Sequence, residues 1–387
     1  MGAGRHQLPL IVKAQDMDLE VHVASISGKY PGIDIAKNFH EIDITSPEKV
    51  LNLSKKLEID GILSTANDIS LSSIGLVVDS MNLRGFSAKT GTICQNKLLM
   101  KRKLSEYNLR TAKFKLVSSA LEVSKFFEKT DSNCVIKPVD SSGSRGVIQI
   151  TKDSNLYKDF EIAKNNSKIG KVIVEEWIEG SEFGAQAIIV GRKLERLILH
   201  SDITTEPPIR IPIGHGCPHP KERDLQKECE KMVRMCIDCL DLKDSICNID
   251  FIDTPEGPYI VEITPRMGGT RLPEVCGEYI GVNMYEMAVK IALGMEIVTT
   301  ANGTGTPNAA CNVLSWKSGQ ISSFTKTGDS NFFVQEAVID ENVKVNSNGY
   351  CELGYVHVKE NENPELLSIA KNLAANIEQC YVISGDE

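Results

Sequence analysis

Asp250 and Glu262 stand in two short alternating runs, CNIDFID and YIVEIT, on either side of the turn-forming stretch Thr254–Gly257. A hairpin symmetric about Glu256 sets the two carboxylates directly across from each other. Opposed residues lie about 4.5–5.5 Å apart at Cβ, and like charges there repel. A divalent cation shared between them removes that penalty. Hard oxygen ligands with room for phosphate oxygens favour Mg2+, with Mn2+ as an acceptable substitute. Thr264, two residues on, faces the same side. Arg266 and the pair Gly268-Gly269 add a cation and pliable backbone beside the metal. The competing structural reading is a bulge or register shift that turns one carboxylate to solvent.

A second candidate lies in NCVIKPVDSSGSRGVIQI. A strand delivers Lys137, Pro138 ends the regular run, and Ser141–Gly146 form a loop. Gly and Ser let backbone N–H groups turn toward an anion, and Lys137 and Arg145 add positive charge, so Ser142, Ser144 and Gly146 fit a phosphate cover. An ordinary hairpin turn explains the same residues, and G-x-x-x-x-G-K-[ST] is absent. In VIVEEWIEGSEFG a buried strand runs into Glu175, Glu176, Trp177 and Ile178, then a turn at Gly180 and Glu182. A strand edge beside an apolar side chain suits a purine, whose edge is read by backbone groups. Glu182 could accept from ribose hydroxyls, while Glu179 reads as a solvated carboxylate at a hinge.

These segments need a scaffold, and 387 residues suffice for two to four domains. Over the first ninety residues, strand patterns (Glu20–Ile26, Gly61–Thr65) alternate with helical ones (Ser46–Leu57, around Ile69–Met81). Such alternation predicts a parallel, doubly wound sheet. Gly2-Ala3-Gly4 looks like the turn after a first strand, yet no strand precedes it, so the sheet is expected to lack its opening strand. From Thr111 to Val174 the pattern becomes α+β, with strands at Ala112–Val117, Asn133–Val139, Val147–Thr151 and Lys171–Trp177, which predicts a small lid. From Glu182 to Leu293 further strands are followed by helices. After Thr299–Pro307 the chain turns strand-rich (Ala309–Trp316, Phe332–Ile339, Tyr355–Lys359), and a helix over 364–378 closes it. That end reads as a small separate domain.

Composition narrows the function classes. With 41% apolar and 25% charged residues the chain is neither disordered nor collagen-like. Forty-three Lys and Arg against 52 Asp and Glu give a net charge of −9, which argues against general binding to nucleic acid or anionic membranes. No window approaches 18 consecutive apolar residues, and Met1–Pro9 lacks a signal-peptide layout. Eleven scattered cysteines, an odd number, predict reduced thiols and a cytoplasmic location. Cys229, Cys236 and Cys239 have helical spacing and no partner CxxC, so they read as a packed helix face rather than a zinc or redox site.

Taken together, in this order and spacing, the lysine strand, hinge and carboxylate hairpin resemble the ATP-grasp superfamily. The likeness is to the biotin-carboxylase-like and carbamoyl-phosphate-synthase-like branch that includes L-amino-acid ligases, and it covers nearly the whole chain. It implies an α/β and α+β protein: a preATP-grasp parallel sheet domain over 1–93, then a two-lobed ATP-grasp fold over 94–300 with its lid at about 112–178. A small C-terminal α+β domain over 301–387 follows. Carried over by position, Lys97 and Lys137 look like the two ATP-phosphate lysines. Glu175, Trp177 and Ile178 match the adenine hinge, and Glu182 the ribose acceptor. Asp250 and Glu262 match the magnesium ligands, with Thr264 where the family usually has Asn, a stronger oxygen donor. Arg266 matches the arginine that steadies the transferring phosphoryl, and Lys137 and Arg145 act beside it. Ile203–Pro218 resembles the acceptor side of amino-acid ligases, with Arg210 and His215 as substrate candidates. His215, Cys217 and His219 match no common zinc spacing. Arg271 could pair bidentately with a substrate carboxylate, or form a salt bridge to Glu274 or Glu278.

The resemblance implies an ATP-dependent carboxylate–amine ligase. It would form an acyl-phosphate from a small carboxylate, an amino acid among them, and release ADP and phosphate as the amide forms. Two alternatives stand beside it. One is a bicarbonate-activating carboxylase or carbamoyl-phosphate-synthase-like enzyme, for which there is one module and no biotin-carrier segment. The other is a non-catalytic ATP-binding regulatory protein, supported by Thr264 alone. The expected partners are a small-molecule acid and amine, not nucleic acid or membrane, and similar enzymes are commonly homodimers.

Overall fold

The structure, a computed structural model, describes residues 1–130, 132–205, 211–299, 305–325, 332–337, 339–346, 349–360 and 365–384. The first region holds α1 (Leu8–Asp16), β1 (His22–Ser25), α2 (Pro31–Asp34), β2 (Asn38–Glu41), α3 (Pro47–Leu57), α4 (Leu71–Met81), α5 (Ala88–Cys94) and α6 (Lys97–Glu106). β1 and β2 pair in parallel, as the alternating pattern requires. The strand expected at Gly61–Thr65 is not one, because this segment has no ladder partner. An apolar cavity of about 290 Å³ separates it from β1, lined by Val21, Val23, Ile62 and Leu63. Met1 and Gly2 bridge its rim: the terminal amine donates to the Leu63 carbonyl and the Gly2 N–H to the Ala24 carbonyl.

The lid is a four-stranded sheet built from β3 (Phe114–Val117), β4 (Cys134–Pro138), β5 (Ile148–Ile150) and β6 (Val172–Glu176), in the order β3-β6-β4-β5. It is covered by α7 (Ala120–Phe127) and α8 (Leu156–Asn165). Val123, Ile136, Ile150, Val172 and Val174 are fully buried within it. At about 1.5–3 kcal/mol for each such side chain, the lid has a core of its own.

The floor is an eight-stranded sheet that draws on β7 (Ser181–Val190), β8 (Lys193–Thr204), β9 (Pro212–Cys217), β10 (Ser245–Thr254) and β11 (Gly257–Thr264). α9 (Glu222–Leu240) lies between β9 and β10 in the chain, and α10 (Leu272–Ile280) and α11 (Met284–Ala292) follow β11. One face of the sheet, with Phe183, Ala185, Leu199, Ile249, Phe251 and Ile263, packs on α4, α6 and α9 in a single large core. α9 contributes Leu225, Cys229, Met232, Val233, Cys236 and Ile237, a stripe at helical spacing. Its three cysteines therefore pack in the core, and all eleven cysteines are free thiols. Side chains one residue out of phase along the same strands point the other way, into a cleft under the lid.

The C-terminal region holds β12 (Asn308–Ser315), β13 (Gly319–Phe324), β14 (Phe333–Gln335), β15 (Asn342–Val343), β16 (Cys351–Lys359), α12 (Leu366–Glu378) and β17 (Tyr381–Ser384). It is strand-rich as expected, but it is not separate. β12 hydrogen-bonds to β9, and the large sheet runs β11-β10-β7-β8-β9-β12-β16-β14. Every residue of β12 is buried, so its backbone groups need neighbours on both edges, and β9 and β16 supply them. Among the described residues, no helix is long and apolar enough to cross a membrane.

Candidate active site

Asp250 does pair with Glu262, but by a different route from the symmetric hairpin. Thr254 sits opposite Gly257, so the ladder is centred between Pro255 and Glu256, and strict counting would put Val261 across from Asp250. A bulge next to Asp250 takes up one residue and brings Glu262 into place. It also lets Ile260 and Ile263, three apart, both reach the core. The bulge thus preserves the carboxylate pair that it was expected to break.

Glu262 has Lys97 as a partner, but Asp250 is short of positive charge. Burial pushes Asp250 up to about 7, and the facing Glu262 and the nearby Asp202 push the same way. Asn248, two residues earlier on β10, donates to Asp250 Oδ1 at 2.9 Å. Gln186 in turn donates to Asn248, and the Gly268 N–H to Gln186. Thr264 lies opposite Asn248, and its buried hydroxyl has no hydrogen-bond partner among the described residues. Two facing carboxylates and an unspent hydroxyl oxygen are hard donors on one face, and they fit a small divalent cation.

Lysines approach from the other wall. Asn96 caps α6 by accepting from the Leu99 N–H, and the Lys97 N–H donates to the Val139 carbonyl at the end of β4. Lys97 Nζ reaches the Ser141 carbonyl at 2.8 Å and Glu262 Oε1 at 3.1 Å. Lys137 on β4 is diagonal to Glu175 on β6, and its Nζ is 2.9 Å from Glu175 Oε2. Lys101, one helical turn past Lys97, approaches the same oxygen at 3.2 Å and is 1% exposed. Burial alone would raise the Glu175 carboxyl, but the Lys101 and Lys137 ammoniums outweigh it and hold it lowered. The Glu175 side chain is therefore the counter-ion of the two lysines.

The rest of the hinge follows β6. The Trp177 N–H donates to the Asn133 carbonyl, and Trp177, Ile178, Glu179 and Glu182 all line the cleft, the two glutamates at its exposed rim. The loop after Lys137 turns through left-handed backbone at Gly143, Ser144 and Gly146. Arg145 is exposed and folds back on Ser142, donating to its carbonyl at 3.1 Å and its hydroxyl at 3.2 Å. Arg266 Nε donates to Asp68 Oδ1 at 2.6 Å, so the first region supplies a site residue. The whole forms a cleft of about 400 Å³ that gathers Lys97, Lys137, Asp250, Glu262, Thr264, Arg266 and His215, a size suited to a nucleotide-sized ligand.

One substrate candidate stands apart and another cannot be placed. Arg271 is 7% exposed and committed to Glu274, Glu336 and the Tyr355 ring. Arg210 lies outside the described residues. Sequence reading missed Lys101, Asp68, Asn248, His200 and Asp202. Only Lys101 carried a local signal, its i,i+4 spacing from Lys97.

Comparison with known proteins agrees with this geometry. A family model described as an ATP-grasp domain matches residues 94–270. A formate-dependent phosphoribosylglycinamide formyltransferase of Methanocaldococcus jannaschii is 22% identical over 316 residues, 77% of this chain and 76% of that protein. Other curated relatives extend well beyond the match. The chain spans 59% of an uncharacterized protein of Sinorhizobium fredii, at 24% identity over 75% of this chain. Among solved structures, phosphoribosylglycinamide synthetase from Anaerococcus prevotii superposes with a TM-score of 0.77 at 26% identity, covering 100% of this chain and 98% of that one. L-amino acid ligase from Bacillus licheniformis has the same fold, with a TM-score of 0.75 at 14% identity over 100% and 97% of the two chains.

Proposed function

From the match of residues 94–270 to an ATP-grasp domain, we propose that the protein is a carboxylate–amine ligase, which joins a small carboxylate, an amino acid first among those to test, to an amine through an acyl-phosphate. One observation carries the reading: Asp250 lies directly across from Glu262 on the floor of a cleft whose other wall brings Lys97 and Lys137. Opposed carboxylates beside lysines suit a nucleotide triphosphate with its metal.

Asp250 and Glu262, with Thr264 beside them, would hold magnesium, which supplies charge neutralisation for the phosphates when bound. Lys97 and Lys137 hold phosphate oxygens, and the loop of Ser142, Ser144 and Gly146 covers them with backbone N–H groups. Trp177 and Ile178 take the adenine and Glu182 the ribose. Arg266, aimed by Asp68, faces the phosphoryl as it moves to the substrate carboxylate, with Arg145 at the loop. Little covalent work falls to the chain, whose contribution is positioning and charge.

The test is a phosphate-release screen over amino acids and small carboxylates paired with amines, with mass detection of the product. ATP turnover should depend on Mg2+ and rise with one acid, and the product mass should equal acid plus amine minus water. ADP formation that no acid stimulates would sink the proposal.

A further inference from the structure

Beyond the phosphate end, the cleft wall carries a second polar cluster. Asp202 on β8 lies across from His215 on β9, and His200 stands two residues before Asp202 on the same face. Asp202 Oδ1 is 2.8 Å from His200 Nδ1 and 2.5 Å from His215 Nδ1. A carboxylate only accepts, so each Nδ1 carries the proton of its own bond, which fixes the tautomer of a ring while it is neutral. The two Nε2 atoms are left over. Among the described residues they have no hydrogen-bond partner, they belong to residues 1% and 3% exposed, and both residues line the cleft. Buried polar atoms left unpaired call for a reason.

Their place gives one. His200 is across from Gly184, Gly184 from Asp250, and Asp250 from Glu262, a single row over four strands. Gly184 leaves room for the His200 ring, because a Cβ built there would collide with His200 Cε1. The cluster therefore borders the site where the acyl-phosphate would form. The three residues could in principle hold a metal, but their inward atoms are spent on one another at hydrogen-bond lengths, and only the Nε2 atoms remain for a ligand.

The two rings differ in charge. Burial works against protonation of His200, but Asp202 outweighs it and the ring is pushed up to about 9, with Cys276 and Asp250 adding to the effect. Burial wins at His215, helped by the neighbouring His200, and its basicity is lowered. Asp202 is held well below the usual carboxylate range by the two rings, against its burial. At neutral pH the outward atom of His200 is an N–H donor and that of His215 a lone pair.

We propose that His215 accepts the proton of the amine that attacks the acyl-phosphate, with Asp202 fixing its tautomer and His200 donating its outward N–H to the acyl oxygen. The assignment rests on the ligase reading above. In the step, the C–N bond forms and the C–O bond to phosphate breaks, its electron pair leaving with phosphate. The proton on nitrogen passes to His215 Nε2 and from there to phosphate or water. Asp202 is a positioning residue, whose charge steadies the imidazolium that forms.

Hydroxylamine separates the two halves of the reaction, because it is largely unprotonated at neutral pH and needs no base. Wild type, His215→Asn and Asp202→Asn are incubated with ATP, Mg2+ and the proteinogenic amino acids, with and without hydroxylamine. Amide and hydroxamate are counted by mass spectrometry across pH. The amide-to-hydroxamate ratio should fall by about a hundredfold or more in both variants, and the deficit should shrink as pH rises and free amine accumulates. A ratio equal to that of wild type overturns the assignment. The rise in melting temperature on adding Mg–ADP verifies the fold, and if His215→Asn does not fold, Asp202→Asn carries the same expectation alone. A wild type that makes no hydroxamate, with these acids or with small carboxylates, sinks the ligase reading itself and this assignment with it.

Discussion

The lid and the floor handle buried charge in opposite ways. In the lid, Glu175 lies between Lys101 and Lys137 and its carboxyl is stabilised as the anion. On the floor, Asp250 faces Glu262 and is destabilised as the anion, pushed up to about 7. The lid's charges are settled within the protein, while those of the floor await a cation. The contrast teaches where the chain spends stability: Lys137 comes preassembled with Lys101 on an internal counter-ion, whereas Asp250, unlike Glu262 with its Lys97 partner, keeps a repulsion that a bound cation would relieve.

The contrast breaks most sharply at the carboxylates. Glu262→Gln and Asp250→Asn should each lower Mg2+-dependent turnover by about a thousandfold. Metal-free Asp250→Asn should melt no lower than wild type at pH 8, as scanning calorimetry would show. Full Mg2+-dependent turnover in Glu262→Gln would remove the metal site from the account. Next, Lys137→Met should cost about a hundredfold in turnover while Lys101 keeps Glu175 paired, a split read by comparing kinetics with denaturant midpoints.

Lys101→Met tests the lid from the other side. Removing one partner of a buried ion pair costs about 3 kcal/mol or more, so this variant should lose stability by urea denaturation. If it does not, the lid is no better settled than the floor. The smallest effect is in pH. Asp250 binds its proton more tightly folded than at the ordinary value of 3.8. Its contribution to stability is therefore fully present below about 4 and lost as pH rises through about 7. The melting temperature of metal-free protein should drift down across that window, and Asp250→Asn should flatten the drift. His200, raised from 6.5 to about 9, loses its contribution as pH rises through about 9, so the two windows meet only near pH 7.

Much of this was legible in the sequence where chemistry and chain proximity coincide. Lys137 and its serine loop, and Asp250 with Glu262, sit in hairpins, so counting residues nearly places them. The count missed the Val261 bulge because strict alternation cannot show that Ile260 and Ile263 both serve the core. Asp68 lies 198 residues from Arg266, and no local pattern joins them. His200 and Asp202 sit in LILHSDIT, which reads as an ordinary buried strand, and only the neighbouring strand reveals that His215 shares their carboxylate. The C-terminal region looked separate because a Gly- and Thr-rich stretch precedes it, but edge pairing is decided by which backbone is left open, and β9 was.

Lys97 has one more consequence. Its ammonium already rests on Glu262, so an arriving phosphate meets an occupied hand rather than an idle one. On the proposed reading, nucleotide capture would be an exchange of anions at Lys97, with an affinity set by the difference between the two. Loading a cation onto Glu262 would release that grip, so that metal entry and phosphate capture would be two sides of one swap.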